Sequence, residues 1–178
     1  MKASAKDISQ IGMFVAAIAV SAQFAILLPG GVPITLQVWA ILLAAILLGA
    51  KKGAWAAFVY VLIGTAGMPV FAAATGGPGV VIGPTGGFIL SFPIMAFIVG
   101  LGAQKGGIIR LALVLTGALT LNFLCGMLFF AAVTQSALQT ALMVAVAPFL
   151  PVAAVQIVVM TAFGASMRAA LSKIRGGE

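Results

Sequence analysis

Histidine is absent from this 178-residue chain, cysteine occurs once, at Cys125, and the acidic side chains are two, Asp7 and Glu178. A His/Cys metal site and a disulfide framework are therefore excluded. So are Ser-His-Asp and Cys-His catalytic sets, which need an imidazole. Paired-carboxylate catalysis needs two acids flanking one bond, and these two stand at opposite ends of the chain. A relay of intramembrane acids is excluded on the same ground. There is no G-x-x-x-x-G-K-S/T string, so ATP hydrolysis has to come from another polypeptide. Charge of any sign is scarce: 6 % of residues carry it, against roughly 25 % in a soluble domain. A soluble globular domain is excluded, and a hydrophobic content of 63 % excludes disorder as well.

What is present is apolar sequence in long runs, with a mean hydropathy of +1.30. The length suits one domain, 1–178, of six membrane helices at roughly 20 residues each. The runs predict an all-α integral membrane protein with spans at 9–28, 34–50, 53–66, 87–104, 109–134 and 148–170. The first run is too long for a cleaved leader. Lys2 and Lys6 precede span 1, Lys51 and Lys52 separate spans 2 and 3, Lys105 and Arg110 separate spans 4 and 5, and Arg168, Lys173 and Arg175 end the chain. The connections after spans 1, 3 and 5 have no charge. Every base thus falls on one side, and the positive-inside rule puts both termini in the cytoplasm. The net charge of +7 marks a membrane face and not a nucleic-acid partner, because a nucleic-acid binder clusters its bases among polar residues.

The outer connections are apolar and rich in Gly and Pro, above all 67–87. A plain extramembrane loop would be polar, so this one is expected to fold back as a lid or pocket wall. Spans 2, 4 and 6 run inward from the outer side, and Pro33, Pro84 and Pro148 or Pro151 stand at their starts, as proline does in a first helical turn. Their unpaired N–H groups carry positive partial charge. Three such ends around one cavity would suit a polar or anionic solute.

Several residues have two readings. Thr35 and Gln37 either cap span 2 or hydrogen-bond a buried solute, and an amide with a hydroxyl suits a urea or amide group. Gly83-Pro84-Thr85-Gly86-Gly87-Phe88 is a tight turn with Thr85 as N-cap, and also a candidate backbone wall with Phe88 packing on a ligand. Trp39, Tyr60, Phe71 and Phe88 are core, belt or lining. Asn122 within span 5 needs a partner in hydrocarbon, either another helix or a solute. Gln156 is a further lining candidate, and Trp55 reads as an interfacial anchor. In span 1, Ala17 and Ser21 form a small-xxx-small pair that Ala22 extends; such a face packs on another span or on a separate subunit.

Together these strings resemble the BioY family, the biotin-specific substrate-binding components of energy-coupling-factor transporters. The resemblance is carried by Ala16-Ala17-Ile18-Ala19-Val20-Ser21-Ala22-Gln23, Val32-Pro33-Ile34-Thr35-Leu36-Gln37, Leu48-Gly49-Ala50-Lys51-Lys52-Gly53, Gly67-Met68-Pro69-Val70-Phe71, Gly83-Pro84-Thr85-Gly86-Gly87-Phe88 and Pro148-Phe149-Leu150-Pro151. It implies a six-helix bundle in the cytoplasmic membrane of a bacterium or archaeon, with biotin as transported ligand, no cofactor and no enzyme activity. It implies a biotin site near the outer face, and the candidate site read from the residues comprises Thr35, Gln37, Phe71, Pro84, Thr85, Gly86, Phe88, Asn122 and Gln156. It also implies a transmembrane coupling protein with cytosolic ATPases, docked on Ala17, Ser21 and Ala22, or self-association. Where the family usually has an acid and a lysine, this chain has Ala153 and Gln156. The alternatives are a component for another small water-soluble solute and a membrane scaffold that binds none.

Overall fold

The computed structural model describes residues 4–28, 30–104 and 107–175; for 168–175 the backbone alone is described. Lys2, Pro29, Lys105 and Glu178, used above, lie outside the described residues. The order is α1 (Ala5–Gln23), β1 (Ala25–Leu27), β2 (Pro33–Thr35), α2 (Gln37–Thr65), a 3₁₀ turn (Ala72–Ala74), α3 (Pro78–Ile82), α4 (Gly86–Gln104), α5 (Ile108–Thr134), α6 (Leu138–Ala145), a 3₁₀ turn (Ala147–Phe149) and α7 (Leu150–Arg175). Among the described residues, five helical stretches are long and apolar enough to cross a membrane. The chain is a multi-pass helical membrane protein.

The spans expected at 34–50 and 53–66 are the two arms of α2, which is broken at Gly49, with φ 80° and ψ 179°. Residues eight apart in a straight helix are separated by about 12 Å. A Cβ on Gly53 would nevertheless lie 2.7 Å from the Cα of Ala45, so the chain doubles back between them. Glycine tolerates the left-handed φ. α4 packs against this reversal: a Cβ on Gly100 would lie 2.3 Å from the backbone nitrogen of Ala50. Lipid is as apolar as the helix surfaces, so close packing of small residues holds such helices together.

Three expectations need correction. The chain is not purely helical: α1 stops at Gln23, and 25–27 pairs antiparallel with 33–35. Gly30 and Gly31 take left-handed φ values of 108° and 81° in the intervening turn, and strand pairing satisfies backbone groups that an apolar connection would leave bare. Second, Pro33 lies in β2 and Pro84 precedes α4, so of the expected prolines only Pro151 is in the first turn of a long helix. Third, α6 occupies the connection after α5, where no helix was expected.

The core is built from the inner faces of α1, α2, α4, α5 and α7, with Ile18, Ile41, Leu42, Met95, Leu111 and Leu115 buried. Among the described residues, Lys52 and Arg110 stand at the end of the bundle that holds the α2 reversal. Lys52 forms an ion pair with Asp7 and donates a hydrogen bond to Gln10 Oε1 at 3.0 Å. The Gln104 side chain, at the end of α4, lies against Gly49, and Arg110 is exposed in the first turn of α5. The opposite end holds the hairpin and the 66–85 connection.

Candidate solute-binding site

At that opposite end lies a cavity of about 330 Å³, within the range of small-molecule sites. Its walls are the β1–β2 hairpin, the 71–85 connection and the starts of α2, α4 and α7, with Leu119, Asn122 and Phe123 of α5. The three helix starts expected around one cavity therefore converge. The apolar connections form its wall, as their composition predicts.

Eight of the nine expected residues line it: Thr35, Gln37, Phe71, Pro84, Thr85, Phe88, Asn122 and Gln156. Gly86 does not. It is buried behind the wall, where a Cβ would meet the Val81 carbonyl at 1.8 Å and the Phe129 ring at 2.8 Å. Its smallness serves backbone approach, not a ligand. Tyr60 belongs to the core, and Trp39 is half-buried against it. The Tyr60 hydroxyl donates to the Val70 carbonyl at 2.9 Å, and its ring meets Phe71 edge-on at 5.5 Å. Trp55 is exposed, against Phe58.

The polar side chains divide by partner. Thr35 Oγ1 accepts from the Gln37 backbone N–H at 3.3 Å, occupying the first N–H of α2 as well as lining the cavity. Asn122 Nδ2 donates to the Phe88 carbonyl at 3.0 Å and to Ser91 Oγ at 2.7 Å. Asn122 is thus an interhelical staple whose second amide atom is left over. Gln37 is 5 % exposed, and its Nε2 has no hydrogen-bond partner among the described residues. Gln156 is 4 % exposed, on the α7 wall. Burying an amide without a partner costs roughly 1–3 kcal/mol, a cost the Gln37 side chain bears in this fold. Ala153, at the position of the family's usual acid, is buried in the core and is not a lining residue.

Two groups were missed. Phe123 and Phe149 complete an aromatic wall with Phe88, with centroids 6.4 Å (Phe88–Phe149) and 6.5 Å (Phe123–Phe149) apart. Phe123 follows Asn122, and that adjacency was the available signal. Gln23, at the last position of α1, holds the 70–74 wall. Its Nε2 donates to Ala19 O at 2.9 Å, Phe71 O at 3.3 Å and Val70 O at 3.4 Å, and its Oε1 accepts from Ala74 N–H at 2.9 Å. Ala73 and Ala74 both take φ of 55°, a left-handed conformation that alanine seldom adopts.

The α1 docking face also needs correction. Ala22 is fully buried in the chain's own core, one turn from Ile18 on the same face. Ala17 is exposed and Ser21 is half-buried. The outward face is instead Gly12, Met13, Ala16, Ala17 and Val20.

The fold is a helical membrane bundle with a partly open, mainly apolar cavity at one end. The chain belongs to the BioY family, whose profile matches residues 1–173. It is 46 % identical over 100 residues to the biotin transporter BioY of Thermotoga maritima, covering 56 % of this chain and 59 % of that one. It is 35 % identical over 168 residues to biotin transporter BioY2 of Lactococcus lactis, covering 93 % and 92 %. The chain spans 52–62 % of the length of the first curated relatives it matches. The fold is shared with a crystal structure of the S-component for biotin from an ECF-type ABC transporter: the TM-score is 0.82 at 21 % identity, over 92 % of this chain and 91 % of that one.

Proposed function

We propose that this protein binds biotin at the outer face of a prokaryotic cytoplasmic membrane, as the non-catalytic substrate-specific component of a vitamin uptake system. The observation that carries the reading is the cavity itself: unpartnered Gln37 and buried Gln156 stand among apolar and aromatic walls. A ureido ring offers N–H donors and a carbonyl acceptor to such amides, and an alkyl chain suits the phenyl rings. The named relatives, one aligned over nearly its whole length, support the same ligand. Thr35, Phe71, Pro84 and Thr85 close the site around it, and Asn122 supplies its free amide atom.

In this reading residues 1–178 form one domain of six spans, with the arms of α2 counted separately. The ion pair of Lys52 with Asp7 supports an N-terminus and an α2 reversal on the same, cytoplasmic side, where the positive-inside rule puts the bases. The C-terminus lies on that side too. The partners are biotin, membrane lipid and a transmembrane coupling protein with cytosolic ATPases that docks on Ala16 and Ala17. Self-association is the alternative to that module. The deciding experiment is retention of radiolabelled biotin by detergent-purified protein. One displaceable biotin per chain is expected, and no retained label would overturn the reading. The uncharged cavity favours one second reading, a neutral water-soluble solute of similar size, which a vitamin panel in the same assay tests.

A further inference from the structure

We propose that the cavity does not read the charge on its solute's tail, so that biotin and its uncharged amides are equivalent cargo; this rests on the biotin reading above. No Lys, Arg, Asp or Glu lines the cavity among the described residues. The chain has no base between Lys6 and Lys51, between Lys52 and Lys105, or between Arg110 and Arg168, and every lining residue falls within those three intervals. A carboxylate taken out of water needs a countercharge or several hydrogen bonds. The buried groups here are neutral amides, at Gln37, Asn122 and Gln156. These suit a neutral ring, whose N–H and carbonyl groups they satisfy without charge. The Phe88, Phe123 and Phe149 wall offers an alkyl tail the same contacts whatever group ends it. Replacing the acid by a carboxamide therefore removes no ion pair, only the attraction of a helix start, about 0.3–1 kcal/mol.

The test is competition of biotin, biotin carboxamide and a ring-free dicarboxylic acid, pimelate, against radiolabelled biotin on detergent-purified full-length protein. Biotin and the carboxamide should compete within about tenfold of each other, a gap of about 1.4 kcal/mol, and pimelate should not compete. A carboxamide more than tenfold weaker than biotin, or effective competition by pimelate, would overturn this inference and leave biotin as the ligand. Failure to retain any labelled biotin would overturn both.

Discussion

At the scale of single residues, polar side chains in this bundle hold the cavity together or wait for an occupant, and the two kinds respond differently to substitution. Gln23 is of the first kind. It ties the end of α1 to a wall whose Ala73 and Ala74 are in unfavourable backbone conformations. Gln23→Leu leaves the Ala74 N–H and the Phe71 carbonyl without that partner. We expect biotin affinity to fall severalfold, mostly through faster dissociation, in line with about 0.5–1.5 kcal/mol for hydrogen bonds that are exposed or part-buried. The dissociation rate of labelled biotin measures this. Gln37 is of the second kind, since its unpartnered Nε2 costs the empty protein stability. Gln37→Leu should raise the unfolding midpoint of the ligand-free protein while weakening biotin by tenfold or more. If the variant lowered both, Gln37 would be a structural residue.

At the scale of elements, α1 presents two faces with different duties. Ala22 and Ile18 face the core, whereas Ala16 and Ala17 face outward. Ala17→Trp should therefore abolish uptake in cells and leave biotin binding to purified protein unchanged. Ala22→Trp should lose both, because a core without room pushes α1 off the bundle. The contact of α4 with the α2 reversal is tighter still. Gly100→Leu puts a side chain where the Ala50 backbone lies, and a loss of roughly 1–3 kcal/mol is expected from such overpacking, read as a lower unfolding midpoint in detergent. The helices themselves were legible in the sequence, since α4 and α5 begin and end within a residue of the apolar runs. The hairpin and α6 were not, because short connections are shaped by the backbone bonding that the apolar surroundings demand.

At the scale of the whole molecule, the bundle has a basic end and a cavity end, and membrane orientation follows from which end faces the cytoplasm. Lys51 is exposed at the first end and Gln139 at the second. In a Cys125→Ala background, Lys51→Cys and Gln139→Cys should react with an impermeant thiol reagent from opposite faces. In intact cells only the Gln139 variant should be labelled, and labelling of both would overturn the six-span topology.

The sequence by itself determined the membrane class, the places of the long helices and the identity of most lining residues. It could do so because hydropathy, charge distribution and Gly-Pro connections act locally along the chain. Only the tertiary structure decided what depends on distance between remote segments. It folded α2 back at Gly49, turned Ala22 inward, put Gly86 behind the wall and Ala153 in the core, and brought Gln23 to Ala74 of the wall, 51 residues away. It also left Gln37 without a partner. Whether a buried amide is satisfied is settled by which groups the fold brings within hydrogen-bond reach, and no local pattern encodes that distance.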